Sequence, residues 1–196
     1  MPASLNLNEI LARYTGAARL SPGSVASATL TADDAAAIRA AGFPAEVPLT
    51  AWTRTDVARF VQLRELSASM PPADFRAIAL SCFEQGDAME QASWCRAVFL
   101  LPDPQQYLAQ VIDACRTNIL PLFESIACEN PYPAAFFPER NFNQLVLKAM
   151  FNNVALARIV GLATRRNAEL SRMATDYAAE HTAAGRSVPA DIALAQ

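Results

Sequence analysis

The chain has 196 residues, of which 53% are hydrophobic and 18% charged, and its formal net charge is −3. Nucleic-acid binding is not expected, because neutralising phosphates requires a basic stripe and none is present. A membrane span is not expected either, because apolar runs such as 97–101 are much shorter than the roughly 20 residues needed, and the absence of signal-peptide features predicts a cytoplasmic location.

The amino-terminal quarter alternates helix signals with loop signals. We expect a first helix over residues 5–20, followed by a loop rich in serine, glycine and proline over 21–30. Thr31 and Asp34 are then placed to cap a short helix that stops at Gly42.

The next helix has a well-marked start. Thr53 and Asp56 have the spacing of a capping box, and Trp52 and Val57 flank that start in the positions of a hydrophobic staple. The proline pair at 71–72 ends this helix and opens another, since proline fits the first turn of a helix and not its interior.

Two further helices are predicted in the middle of the chain. Asp87 and Glu90 repeat the capping-box spacing. The Asp-Pro pair at 103–104 supplies a cap followed by proline at the first helical position. We expect the helix that it opens to run to about Leu120, where the following proline bends or interrupts it.

The carboxyl-terminal part begins with residues 129–140, where three prolines predict a turn or an ordered loop. Two helices follow, over 140 to about 162 and over roughly 165–184. The Asn-Asn pair at 152–153 can break the first of them. Gly185 is a good stop for the second, and the remaining residues form a tail with a short final turn.

These signals predict an all-α fold in which antiparallel helix pairs form an α-solenoid-like or irregular helical bundle. Residues 1–196 are expected to form a single domain, with 1–50 a candidate for a loosely packed amino-terminal appendage. The four cysteines are too widely spaced for a metal knuckle, so we expect reduced core thiols: Cys82, Cys95, Cys115 and Cys128.

A narrow polar row lies on the apolar helix that begins near residue 140. Its members fall within an arc of roughly 80° on a helical wheel, and Lys148 is the only lysine beside fifteen arginines. The row faces either a strip of solvent or a pocket. In a pocket, Lys148 would hold a phosphate or carboxylate, or act as an amine nucleophile. The row consists of Asn141, Gln144, Lys148 and Asn152.

A second polar row lies on the last long helix. The first interpretation is a solvated face with ion pairs three and four residues apart. The second is that Arg172 and Asp176 turn toward the Lys148 row and complete a charged pocket. The row consists of Arg165, Glu169, Arg172, Asp176 and Glu180.

His181 is the only histidine, and it lies on the apolar side of the same helix, where we expect a partly buried packing residue. One histidine so placed supports no serine or cysteine triad. The HExxH, P-loop and GxGxxG motifs are absent. We therefore predict no metal and no cofactor, and we assign no catalytic residue.

Long motifs in residues 117–189 carry a family resemblance. An NPYP turn precedes FNQLVLKAMF, and a Gly-Leu pair then precedes RRNAELSRMATDYAAEHTAAGR. This pattern resembles the EboA domain family, which the first half of the chain matches only loosely. The resemblance implies a bacterial, cytosolic protein of a gene cluster for a secondary metabolite, beside enzymes such as a prenyltransferase and a phosphatase-like protein. It implies no settled reaction.

The family motif includes two members of the first polar row, all five of the second, and several residues outside both. His181 stands where the family pattern has an arginine, so an arginine-dependent role there is not expected. The motif positions are Asn130, Tyr132, Asn143, Gln144, Lys148, Arg165, Asn167, Glu169, Arg172, Asp176, Tyr177, Glu180 and Arg186.

Two functions are consistent with the sequence. The first is a non-catalytic binding or scaffold protein of the pathway, which holds a small polar or phosphorylated intermediate or docks a pathway enzyme. The alternative is an enzyme of the same pathway, with Lys148 as Schiff-base amine or phosphate anchor and Asp176 or Glu180 as acid/base. A third and weaker hypothesis is a purely structural subunit of a larger complex.

Overall fold

The computed structural model describes residues 29–40 and 43–196. Helices make up 69% of these residues, and the same residues contain no β-sheet, only an isolated bridge between Thr29 and Thr53. The all-α prediction is confirmed. The α-helices in the described ranges are α1 (Ala32–Ala40), α2 (Arg54–Ser69), α3 (Pro72–Gln85), α4 (Ala88–Ala97), α5 (Leu108–Ala114), α6 (Leu120–Ala127), α7 (Tyr132–Phe136), α8 (Glu139–Phe151), α9 (Leu162–Arg165) and α10 (Ala168–Ala183).

The chain forms two compact units, one up to Tyr107 and one from Leu108 onward. In the first unit α2, α3 and α4 pack on one another, and in the second α8 packs against both α6 and α10. The single-domain assignment stays a prediction. The helix predicted over 5–20, Gly42 and most of the loop predicted over 21–30 lie outside the described residues.

Local caps set the helix starts of the first unit as the sequence predicts. Thr53 Oγ1 accepts the Asp56 N–H at 3.1 Å, and Asp56 Oδ2 accepts the Thr53 N–H at 2.8 Å. Asp87 and Glu90 exchange the same pair of bonds, each at 2.9 Å. Each reciprocal pair satisfies two N–H groups at the helix start, which otherwise have no partner in the helix.

An aromatic cluster forms part of the core of the first unit. The rings of Phe43, Trp52 and Phe60 meet edge to face, with centroid separations of 5.1 to 6.1 Å. Val57 packs against this cluster, as the hydrophobic staple predicts. Such ring pairs add about 0.5–1.5 kcal/mol each beyond the area they bury.

A buried polar network joins α2 to α4. Ser93 Oγ donates to Asp56 Oδ1 at 2.5 Å, and Arg59 donates to Ser93 Oγ at 2.8 Å. Arg59 also lies 3.5 Å from a Glu90 carboxylate oxygen, and Arg96 lies 3.6 Å from Asp56. Asp56 therefore both caps α2 and anchors a charged network in which Asp56 and Arg59 are each only 3% exposed.

The second unit corrects the helix expected to run to about Leu120. The helix α5 ends at Ala114, and α6 begins at Leu120 with the following proline in its first turn. The Ile119 N–H donates to Thr117 Oγ1 at 3.1 Å instead of continuing the helix. The carbonyl oxygens of Cys115 and Thr117 accept hydrogen bonds from a side chain of α8. The helix α5 thus ends at Ala114 because the carbonyl oxygens that follow it bond to a side chain of α8 instead of to N–H groups of a continued helix.

The proline-rich stretch 129–140 is an ordered connection that contains the short helix α7. Glu129 has a positive φ of 49°, and Arg158 holds its carboxylate with two hydrogen bonds of 2.8 and 3.0 Å. The α8 helix begins at Glu139 and ends at Phe151, so the break predicted at 152–153 is confirmed.

The last helices also follow the sequence signals, with one difference. The helix predicted over roughly 165–184 is α10, which begins at Ala168, and residues 162–165 form the separate short helix α9. The Asn167 side chain caps α10 by accepting the Leu170 N–H at 2.9 Å. The α10 helix ends before Gly185, whose φ of 66° explains why glycine occupies that position. The predicted final turn is a 3₁₀ helix over Ile192–Leu194.

The four cysteines are free thiols, as predicted. Cys82, Cys95 and Cys128 are buried, and Cys115 is partly buried. Burial, with the Glu90 carboxylate as a smaller contribution, raises the pKa of the Cys82 thiol to about 12. The thiolate, which is the reactive form, is therefore suppressed at this position.

We predict that Arg59→Met destabilises the protein by about 3 kcal/mol, because the buried Glu90 carboxylate loses its counter-charge and Ser93 loses a donor. Urea unfolding of the full chain measures the change. Arg54→Met is the matched control on the same helix, since Arg54 pairs with Asp34 at the surface and should cost under about 1 kcal/mol. Equal losses in the two variants would contradict the assignment of a buried network.

Candidate functional site

The polar row on α8 lines a cleft in the second unit. The cleft has a volume of about 570 Å³, and one wall is formed by Asn141, Gln144 and Lys148. Arg140, at the beginning of the same helix, extends this wall. Three of the four members of the row therefore face this cleft, and a role of the row in holding a ligand stays a prediction.

The opposite wall comes from the end of α5 and the segment after it. Ile112, Cys115 and Arg116 line this side, and Phe137 and Leu145 supply further apolar surface. The lining is mixed, with cationic and amide groups beside buried apolar side chains. This composition is typical of ligand sites, in which a few polar groups orient a largely apolar molecule.

The Lys148 ammonium is the best-defined polar group of the cleft. Nζ donates to the carbonyl oxygen of Cys115 at 2.7 Å and to that of Thr117 at 2.6 Å. It also lies 5.2 Å from the centre of the Phe123 ring, within the range of a cation–π contact. The two hydrogen bonds leave one of the three donors of the ammonium for other partners.

The cleft has a surplus of positive charge. Its lining includes Lys148, Arg116 and Arg140 and no aspartate or glutamate. Arg116 pairs with Asp113 at 3.0 Å, with both side chains more than 70% exposed. Within the described ranges no ion pair involves Lys148 or Arg140. The hydrogen-bond partners of Lys148 are neutral carbonyl oxygens.

The Cys115 thiol lies in the same cleft and is not activated. Burial raises its pKa to about 12, although the nearby Lys148 charge acts in the opposite direction. A reactive cysteine needs the reverse shift, toward a thiolate at neutral pH. Cys115 therefore forms part of the cleft wall and is not a reactive group.

Asn152, the last member of the first row, does not line the cleft. Its side-chain amide donates to the Lys148 carbonyl oxygen at 3.0 Å, and its main-chain N–H donates to the same oxygen at 3.0 Å at the end of α8. Its position shows a capping role within the helix.

The second row does not turn toward Lys148. Arg172 bonds Glu169 at 2.7 and 2.9 Å and Asp176 at 2.7 Å, and all three side chains are more than half exposed. The guanidinium lowers the pKa of Glu169. Glu180 is also exposed. The four members on α10 form the solvated face of the first interpretation, whereas Arg165 lies on α9 and is partly buried. None of the five side chains lines the cleft.

Several family-motif residues satisfy main-chain groups. Asn130 donates to the Ser125 carbonyl and accepts the Tyr132 N–H, both at 2.9 Å. Tyr132 is completely buried, with its ring 4.8 Å from that of Phe136. These contacts fix the turn that leads from α6 into α7.

Two more motif residues hold α8 against the elements that follow it. Asn143 and Asn167 exchange side-chain hydrogen bonds of 3.1 and 3.0 Å, so the cap of α10 is itself tied to α8. Arg165 donates to the carbonyl oxygens of Ala134 and Phe137. Its guanidinium also lies 4.8 Å from the Phe142 ring centre.

The end of α10 packs against the end of α8. Tyr177 donates from its hydroxyl to the Met150 carbonyl at 3.1 Å. His181 stacks on Tyr177 at a centroid distance of 4.0 Å and is partly buried, as predicted for a packing residue. The side chain of Arg186 is exposed, and its N–H donates to the His181 carbonyl at 2.8 Å.

Sequence reasoning missed Arg140, Arg116 and Cys115 as lining residues. Arg140 had a usable signal, because it precedes Gln144 by four residues and Lys148 by eight and so continues the same helical row. Arg116 and Cys115 had none, since the segment that carries them was expected to be helical.

The described residues contain no group of histidine, cysteine or acidic side chains suited to a metal ion. None of the helices in these ranges has both the length and the apolar character that crossing a bilayer requires.

Comparison with protein families gives one match. The family model of EboA, described as a metabolite traffic protein, matches residues 9–195. The match covers nearly the whole chain and includes the first half, where the sequence motifs are weak. No curated protein and no solved structure was found to match.

We predict that Lys148→Met lowers the free energy of unfolding by about 2 kcal/mol, because two carbonyl oxygens lose charge-assisted hydrogen bonds. Urea unfolding measures the change. Gln144→Met, one turn earlier on the exposed side of α8, is the control and should change stability by under about 0.5 kcal/mol. A Lys148→Met protein as stable as wild type, or more stable, would show that the carbonyl contacts do not hold the fold.

We also predict that Cys82 and Cys115 resist thiol reagents at pH 8. A pKa of about 12 leaves roughly a thousandfold less thiolate than an ordinary pKa near 9. Timed labelling with a disulfide reagent, followed by peptide mass mapping, measures each site in native and urea-unfolded protein. Labelling of native Cys115 at the unfolded rate would contradict its burial in the cleft wall.

Proposed function

The chain belongs to the EboA family, and from this premise we propose that it is a non-catalytic binding protein that holds a small anionic metabolite in the Lys148 cleft. The family description, metabolite traffic, fits a protein that carries or presents a molecule without converting it. The ligand would be an intermediate with a phosphate or carboxylate group.

One observation carries this proposal, the unbalanced positive charge of the cleft. Lys148, Arg140 and Arg116 line it without an acidic side chain, and two amides lie among them. Ligand clefts commonly measure about 300–1,000 Å³, and the volume of about 570 Å³ falls inside that range. Cationic groups in a partly enclosed site attract anions more strongly than the same groups in open solvent do.

The contacts of Lys148 support an anchoring role over a nucleophilic one. A Schiff-base amine must be free to attack a carbonyl carbon, whereas Lys148 Nζ is held by two main-chain carbonyl oxygens beside an aromatic ring. Asp176 and Glu180, the acid/base candidates for an enzyme, are exposed on α10 and do not line the cleft. The enzymatic alternative therefore lacks the groups that would move protons beside Lys148.

We extend the proposal to the setting that the family resemblance implies. The protein would act in the cytoplasm of a bacterium, in a pathway that makes or exports a secondary metabolite. Its partners would be enzymes encoded in the same gene cluster, which would deliver or receive the bound intermediate. Neither nucleic acid nor a cofactor has a part in this proposal.

We predict that Arg140→Gln weakens anion binding about fivefold or more, because a charge-assisted hydrogen bond to the ligand is lost. Calorimetric titration of the full chain with benzoate, phenyl sulfate and phenyl phosphate measures the affinities. Arg166→Gln is the matched control, since Arg166 is exposed and does not line the cleft.

Two outcomes of these titrations would overturn the proposal. If none of the three anions binds wild type, or if the two variants weaken binding equally, the cleft is not an anion site.

A further inference from the structure

We propose that the cleft is built for a dianion, and that its ligand is a small-molecule phosphate monoester with an apolar body. This inference rests on the function proposed above and names the chemical class of the ligand. It follows from counting which charges of the cleft already have a counter-charge.

Two of the three cationic side chains have none within the described part of the chain. Lys148 is held by carbonyl oxygens and an aromatic ring, which orient its charge without cancelling it. No ion pair in residues 29–40 and 43–196 involves Arg140. A carboxylate or a sulfate ester would balance one of these charges, whereas a phosphate monoester at pH 8 balances both.

The third cationic side chain, Arg116, has a counter-charge, but the ion pair is weak. Arg116 pairs with Asp113 at 3.0 Å, but both side chains are more than 70% exposed. Exposed pairs of this kind are weak and exchange easily. Arg116 can therefore leave Asp113 for a phosphoryl oxygen, and Asp113 tunes the affinity by competing with the ligand. Three donors around the cleft match the three terminal oxygens of a phosphoryl group.

The rest of the lining fits the body of such a molecule. Phe137 and Leu145 are buried side chains that leave apolar surface in the cleft, and Ile112 adds to it. The amides of Asn141 and Gln144 offer both donors and acceptors, which suits a hydroxyl or carbonyl on the ligand. Taken together, these lining groups fit a ligand with an apolar or partly hydroxylated body that carries one phosphate.

The test compares anions that differ in charge and share a phenyl body. Phenyl phosphate and phenyl sulfate have the same tetrahedral shape and differ by one charge at pH 8. We expect wild type to bind phenyl phosphate at least tenfold more tightly than phenyl sulfate or benzoate at pH 8. At pH 5 the advantage over phenyl sulfate should fall to about threefold or less, because the second ionisation of phosphate lies near pH 6.

The pH change isolates the ligand's ionisation. Neither histidine nor a carboxylate lines the cleft, and the ionisable groups there are Lys148, Arg116, Arg140 and the Cys115 thiol. Asp113 contacts Arg116 from the surface. The same pH comparison in Asp113→Asn removes any contribution of this carboxylate.

Two variants test the tuning by Asp113. Asp113→Asn should tighten phenyl phosphate about threefold, because Arg116 loses its competitor. Arg116→Gln should weaken phenyl phosphate more than phenyl sulfate. Asp176→Asn is the matched control for the first, since it removes an exposed carboxylate paired with Arg172 on α10, and it should leave all affinities unchanged.

The outcomes separate this inference from the function it rests on. Binding of phenyl sulfate as tight as that of phenyl phosphate, or a preference unchanged at pH 5, would overturn the dianion and leave an anion site. Absence of binding by all three anions would overturn both. Co-sedimentation with vesicles that contain phosphatidic acid, without binding of phenyl phosphate, would assign the phosphate to a lipid surface and also overturn the small-molecule proposal.

Discussion

The second unit depends on side-chain cations that satisfy main-chain carbonyls where its helices are interrupted. A carbonyl that leaves a helix and stays away from water needs another donor. Lys148 supplies one for Cys115 and Thr117, and Arg165 supplies one for two carbonyls in and after α7. Because the acceptors are neutral, the positive charge of each cation is retained. Lys148 therefore stabilises the fold, and the proposed anion site depends on the charge that it retains.

Those features of the fold that depend on neighbours in sequence could be predicted. The capping boxes at Thr53 and Asp87, the stop before Gly185 and the break after Phe151 follow from groups within a few residues of each other. The end of α5 at Ala114 could not, because the first helix-breaking residue after it, Pro121, lies seven residues further along the chain. The end of α5 is set by Lys148, which lies more than thirty residues further along the chain. Sequence periodicity describes neighbouring residues of one element and carries no information about such a distant contact.

The candidate site likewise combines features that follow from neighbours in sequence with features that depend on distant contacts. The spacing of Asn141, Gln144 and Lys148 correctly placed them on one face of α8, but a helical wheel does not say what that face meets. The second row satisfies its own charges, so that Arg172 never needed a partner on another helix. Arg116 enters the cleft only because its segment is not helical. More residues of the family motif bond main-chain groups than line the cleft, and sequence alone does not distinguish the two roles.

The central claim is that one ammonium serves both the fold and the ligand, and the chain offers a direct way to observe it. Lys148 is the only lysine, so protein labelled with ¹⁵N-lysine gives a single Nζ signal by nuclear magnetic resonance. With two carbonyl partners, its protons should exchange slowly enough to be detected without ligand, and the signal should shift on saturation with phenyl phosphate. A signal lost to fast exchange with water would contradict the carbonyl contacts. A sharp signal that phenyl phosphate leaves unmoved would contradict the cleft as the binding site.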